Sequence, residues 1–104
     1  MSKILIVEDE AAIRRVLSKI LSEENDTYQV SEAADGEEAM QKIQNEDFDL
    51  VICDIKMPKM DGEEVLKAAK EIKPELNFIM ISGHGDLETA VNTMRLGAFD
   101  YISK

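Results

Sequence analysis

Cysteine occurs once, at Cys53, in a chain of 104 residues. No disulfide can form within the chain, which fits a reducing compartment. Histidine also occurs once, at His84, so this pair falls short of the usual zinc ligand set. Basic residues are scarce, 12 Lys and Arg against 22 Asp and Glu, for a formal net charge of -10. That balance argues against a nucleic-acid-binding surface on this segment, because phosphate contacts need clustered Lys and Arg. It suits a protein that binds cations or basic partner surfaces. No apolar run approaches membrane-spanning length. Met1-Ser2-Lys3 leads into an apolar stretch too short for a signal peptide. The expectation is a cytoplasmic domain with no membrane contact. Low-complexity segments, linkers and internal repeats are absent too, and the length suits one domain.

What is present is an alternation of apolar runs and helical patterns. Ile4-Leu5-Ile6-Val7 and Leu50-Val51-Ile52-Cys53 are continuous apolar runs, as expected of strands covered on both faces. Phe78-Ile79-Met80-Ile81 reads as the next strand. Tyr28 and Val30 alternate with polar residues, and Phe99-Asp100-Tyr101-Ile102 does the same, which suits edge strands. Between the runs lie four helical segments. Ile13, Val16, Leu17, Ile20 and Leu21 form the apolar stripe of the first. Asp35 starts the second, whose inner face is Ala39, Met40 and Ile43. Asp61 starts the third, with Val65, Leu66, Ala69 and Ile72 facing in and Pro74 closing it. Asp86 can cap the fourth, which carries Leu87, Ala90, Val91 and Met94 and stops at Gly97.

Strands alternating with helices imply an α/β fold, a doubly wound parallel sheet with right-handed crossovers. The flavodoxin-like order 2-1-3-4-5 places the runs Ile4–Val7 and Leu50–Cys53 side by side inside the sheet and the alternating strands at its edges. In such a sheet, ligands bind beyond the carboxyl ends of the strands, where the order reverses. Glu8 and Asp9 follow the first strand, Asp54 the third, Ser82 the fourth and Lys104 the fifth. Taken singly, Glu8 and Asp9 read as helix-capping acids, Ser82 and His84 as loop residues, Lys104 as a solvated amine and Cys53 as core packing. Asp54 is harder to set aside, because it ends a buried strand. Clustered carboxylates need a counterion or shifted pKa values, and a hard divalent cation such as Mg²⁺ is the simplest remedy.

Four segments carry a resemblance to the receiver domains of bacterial two-component response regulators. They are Ile6-Val7-Glu8-Asp9-Glu10, Asp54-Ile55-Lys56-Met57-Pro58-Lys59-Met60-Asp61-Gly62, Ile81-Ser82-Gly83-His84-Gly85-Asp86 and Gly97-Ala98-Phe99-Asp100-Tyr101-Ile102-Ser103-Lys104. The resemblance implies that Asp54 is the phosphoacceptor. It implies that Asp9, Asp54 and the backbone carbonyl of Lys56 bind Mg²⁺, with Mn²⁺ as a substitute, and that Glu8 orients the metal's waters. Ser82 and Lys104 would contact phosphoryl oxygens, Tyr101 would be the switch aromatic, and Lys56 and His84 would tune phosphate lifetime. A sensor histidine kinase would be the donor, and a repacked surface of the fourth helix and fifth strand would control an output domain or protein. The acceptor is then a switch and not a turnover enzyme.

Ser82-Gly83-His84-Gly85-Asp86 with Glu88-Thr89-Ala90-Val91 further resembles receivers of nitrogen-regulation-type activators, which control transcription. The family continues past the lysine into a fifth helix, whereas residues 1–104 stop there. The expectation is a receiver domain lacking that helix, with apolar surface on one sheet face that favours association, a dimer included. Three other readings stand beside this one. A Mg²⁺-dependent phosphohydrolase of the haloacid-dehalogenase type would need a second acid where Lys56 stands. A flavin-binding domain would need a Ser/Thr/Gly-rich phosphate loop where the acidic Glu8-Asp9-Glu10 lies. A receiver serving only as a docking module would not need the full acidic set.

Overall fold

The computed structural model describes residues 2–24, 26–83 and 87–103. Five strands and four helices alternate along the described chain: β1 Ser2–Val7, α1 Ala11–Glu24, β2 Tyr28–Ala33, α2 Gly36–Asn45, β3 Leu50–Asp54, α3 Gly62–Ile72, β4 Asn77–Ser82, α4 Leu87–Arg95 and β5 Asp100–Ser103. The strands form one parallel sheet in the order β2-β1-β3-β4-β5. The expected 2-1-3-4-5 order therefore holds, and the chain reverses its winding direction between β1 and β3. There Ile6 sits opposite Ile52 and Val7 opposite Cys53.

Alternation along the central strands divides the apolar residues between two faces. Leu5, Val7, Val51, Cys53, Phe78 and Met80 join one buried cluster with Ala39 and Ile43 of α2 and Val65, Leu66 and Ala69 of α3. Ile4 and Ile6 point to the other face, where α1 packs mainly against β1 and β2. That helix buries no residue fully. Val16 and Ile20, which belong to its apolar stripe, are 56% and 55% exposed. The flank of α1 towards β3 and β4 has no covering element among the described residues, and Ile52 and Ile79 below it are only half-buried.

One expectation on a helix face is corrected. Ile72 is largely exposed, because it is the last residue of α3 and the chain turns away through Lys73 and Pro74. Leu87, Val91 and Met94 of α4 are exposed as well. The residue that α4 buries is Thr93, whose hydroxyl returns to the Ala90 carbonyl at 2.9 Å. Periodic spacing marks a stripe, but what lies against the stripe decides its burial.

The helix starts follow local chemistry. Asp61 and Glu64 exchange hydrogen bonds in a capping box at the start of α3. At α2, Asp35 accepts from the Glu38 N–H at 2.8 Å, while the Glu38 carboxylate turns to the Ala34 N–H instead. Gly97, just after α4, has a φ of 104°, a left-handed conformation that ends a helix at little cost for glycine. The expected cap Asp86 lies outside the described residues.

Candidate functional site

β1 and β3 are neighbours, so their carboxyl ends deliver Glu8, Asp9 and Asp54 to one rim. Each offers a carboxylate oxygen, and these oxygens all lie within 4.8 Å of one another. At that spacing each pair of charges repels by roughly 3–4 kcal/mol with an effective dielectric near 20. Glu8 is fully buried and Asp54 is 5% exposed, so solvent relieves little of this. Partial burial, followed by the neighbouring Glu8, raises the Asp9 carboxyl above its usual value, although the residue as a whole is exposed. A small octahedral divalent ion with oxygens at about 2.1 Å spaces its ligands about 3–4 Å apart. Three carboxylates at the observed spacing suit such an ion.

The backbone around each acid is held in place. The Glu8 N–H donates to the Ala33 carbonyl at 3.1 Å, continuing the β1–β2 ladder by one residue. The Glu8 carboxylate accepts from the Glu10 N–H at 3.2 Å. Arg14, in the first turn of α1, donates from Nη1 to the Glu8 carbonyl at 2.7 Å and from Nε to Glu32 at 3.0 Å. The Asp54 Oδ1 accepts from the Ile55 N–H at 2.9 Å, and the Cys53 thiol donates to the Asp54 carbonyl at 3.2 Å. Burial pushes the Cys53 thiol pKa up, so it stays protonated and serves packing.

Beyond Asp54 the chain runs through an exposed Lys56 and doubles back to α3. The Gly62 N–H donates to the Ile55 carbonyl at 2.7 Å, which presses the start of α3 against the end of β3. A Cβ on Gly62 would lie 2.2 Å from the Asp54 carbonyl oxygen, so only glycine permits this approach. Within the same loop Lys59 takes a φ of 69° and extends Nζ to 3.6 Å from the Asp35 carboxylate.

Ser82 is buried at the carboxyl end of β4. Tyr101 lies in register with Met80, its ring is packed on the main core cluster, and its hydroxyl is enclosed without a hydrogen-bond partner among the described residues. His84 and Lys104 lie outside the described residues. Glu8, Asp9 and Asp54 are thus brought together, with Ser82 on the same rim of the sheet. Arg14 and Gly62 are structural contributors that sequence reasoning missed. The available signals were an arginine in the first turn after the acidic loop and a glycine directly following a helix cap.

Comparisons with known proteins agree with this geometry. The response regulator receiver domain family matches residues 4–104. Transcriptional regulatory protein ZraR of Klebsiella oxytoca is 36% identical over 101 residues, 97% of this chain and 22% of its own length. Sporulation initiation phosphotransferase F of Bacillus subtilis (strain 168) is 37% identical over 102 residues, 98% of this chain and 81% of its own. Among solved structures, a CheY-like receiver domain protein from Methanospirillum hungatei JF-1 superposes with a TM-score of 0.94 at 40% identity, covering 100% of this chain and 82% of its own. A chain of the CheX-CheY-BeF3-Mg complex from Borrelia burgdorferi gives a TM-score of 0.93 at 35% identity, covering 99% of this chain and 78% of its own. Against the longer transcriptional regulators ZraR and NtrC, the chain spans only about a fifth of their length. Among the described residues no helix is long and apolar enough to cross a membrane. The sheet order, the acidic rim and the match over residues 4–104 converge on one assignment: this chain belongs to the response regulator receiver domain family.

Proposed function

We propose that Asp54 accepts a phosphoryl group from a sensor histidine kinase, and that the charge so introduced switches a surface read by an output domain or protein. The observation that carries this reading is the meeting of Glu8, Asp9 and Asp54 at the point where the sheet order reverses. Asp9, Asp54 and the Lys56 backbone carbonyl would hold Mg²⁺ or Mn²⁺, with Glu8 beside them orienting its waters. The ion, when bound, would neutralise carboxylate and phosphoryl charge. An Asp54 carboxylate oxygen forms the bond to phosphorus while the bond from phosphorus to the donor's nitrogen or oxygen breaks and that atom keeps the electron pair. The hydrogen bond from the Ile55 N–H to Oδ1 at 2.9 Å restrains the rotation of the Asp54 carboxylate.

Ser82, buried at the next strand end, would receive a phosphoryl oxygen, and Lys104 would pair with another. Tyr101 is the aromatic that would transmit the change to α4 and β5. Lys56 and His84 would set how long the acyl phosphate survives. A relative named as a phosphotransferase supports phosphoryl chemistry, and one solved with BeF3 and Mg²⁺ supports the metal. Relatives named as transcriptional regulators support a cytoplasmic switch governing transcription, with a DNA-binding function outside this segment. The domain would change state once per phosphorylation and would not turn over a substrate.

Treatment with acetyl phosphate and Mg²⁺, followed by mass spectrometry, tests this directly. One phosphoryl adduct is expected, located on Asp54 and absent from Asp54→Ala. An adduct that persists in Asp54→Ala, or none in the parent protein, would refute the assignment.

A further inference from the structure

We infer that Arg14 is a positioning residue for the acidic site, setting its affinity for a divalent cation through the backbone that carries Glu8 and Asp9. The inference rests on the reading of the acidic cluster as a cation site. The carbonyl that Arg14 holds at 2.7 Å belongs to the peptide joining Glu8 to Asp9. One side chain thereby fixes the backbone of two of the three clustered carboxylates.

The rest of the loop closes around the same contact. The Arg14 N–H donates to the Glu10 carbonyl at 2.9 Å, starting α1, and the Glu10 N–H donates to the Glu8 carboxylate. The second arm of the guanidinium reaches Glu32 on β2 at 3.0 Å. Ile6, two residues before Glu8, is in register with Glu32, so Arg14 ties the site loop to a rigid strand. Its side chain is only 16% exposed, whereas Glu32's is 40% exposed. An exposed Arg–Glu pair alone contributes little. A charge-assisted bond from a largely covered guanidinium to the site's own backbone is a stronger constraint.

Two effects of Arg14 on cation binding oppose each other in sign. Its positive charge, acting alone, repels a cation, so neutralising it would tighten binding. Its hold on the Glu8–Asp9 peptide preorganises the ligands, so removing it would weaken binding. Groups that orient metal ligands typically change affinity by about 10–100-fold when removed. Positioning should therefore win.

The experiment is a Mg²⁺ titration by isothermal calorimetry on the parent protein, Arg14→Ala and Arg14→Lys, with urea unfolding of each in EDTA. We expect Kd to rise about tenfold in Arg14→Ala. In Arg14→Lys, which keeps the charge and one donor but not the fork, an intermediate rise is expected. A Kd in Arg14→Ala equal to or tighter than the parent's, whatever happens to unfolding, would overturn the inference. Should Arg14→Ala not fold, Arg14→Lys decides alone: an unchanged Kd refutes positioning, and a several-fold rise supports it. No Mg²⁺ binding by the parent protein would overturn the reading of the acidic cluster and this inference with it, whereas a parent that binds with insensitive variants sinks the inference alone.

Discussion

Substituting Gly62 by alanine should destabilise the domain, against the usual direction of that change. At an ordinary helical position the substitution gains about 0.4–1 kcal/mol, by restricting the unfolded chain. Here the new Cβ would lie 2.2 Å from the Asp54 carbonyl oxygen, 2.8 Å from the Ile55 Cα and 3.0 Å from the Asp54 carbonyl carbon. All three are backbone atoms at the end of a buried strand, so no flexible side chain can yield. Overpacking of this kind costs about 1–3 kcal/mol. Separating the helix from the strand also stretches the 2.7 Å bond from the Gly62 N–H to the Ile55 carbonyl, worth about 0.5–1.5 kcal/mol. Taken at mid-range, these figures leave a net loss of about 2 kcal/mol, a substantial part of the roughly 5–15 kcal/mol typical of a domain this size. Urea unfolding in EDTA should show the midpoint falling by about 1–2 M. Because two of the three crowded atoms belong to Asp54, its phosphorylation by acetyl phosphate should also slow at temperatures where the variant stays folded. A midpoint equal to or above that of the parent protein would show that the close approach of α3 to β3 is wrong.

Other predictions follow from single contacts. Asp35→Ala should cost about 1 kcal/mol, as loss of a helix cap does, measurable by urea unfolding. The Glu38 N–H bond, with Lys59 adding to it, holds the Asp35 carboxyl below its ordinary 3.8. Between the lowered folded value and 3.8 the unfolded chain binds more protons than the native one, so this stabilisation is complete above 3.8 and disappears as pH falls through the folded value. Asp35→Asn keeps a cap that cannot titrate, so the acid limb of its Tm-against-pH curve should be shallower; superimposable limbs would contradict the contact. Tyr101→Phe removes a hydroxyl that is enclosed without a partner among the described residues. It should raise stability by about 1 kcal/mol, or Tm by about 4 °C, and a lowered Tm in differential scanning calorimetry would reveal a bond to that hydroxyl.

The strands were legible because interior strands of a parallel sheet carry apolar side chains on both faces, which leaves a local mark. Ile4–Val7 and Leu50–Cys53 are uninterrupted apolar runs, and the edge strands alternate. Asp35 and Asp61 announced helix starts through chemistry within four residues. Helix burial was less legible. Val16, Ile20, Leu87, Val91 and Met94 keep helical spacing yet lie exposed. Spacing places them on a common stripe but carries no information on which neighbour covers it.

Strand and helix order, and the chemistry at each strand end, could be read from residue order, since both follow from periodicity and residue type over short spans. From the sheet order it follows that Glu8, Asp9 and Asp54 share a rim. Tertiary structure alone decided how firmly they are held there. Arg14 acts through a backbone carbonyl, and the role of Gly62 depends on atoms that belong to another strand end. Backbone groups are the same in every residue, so contacts of this kind leave no mark in the order of side chains.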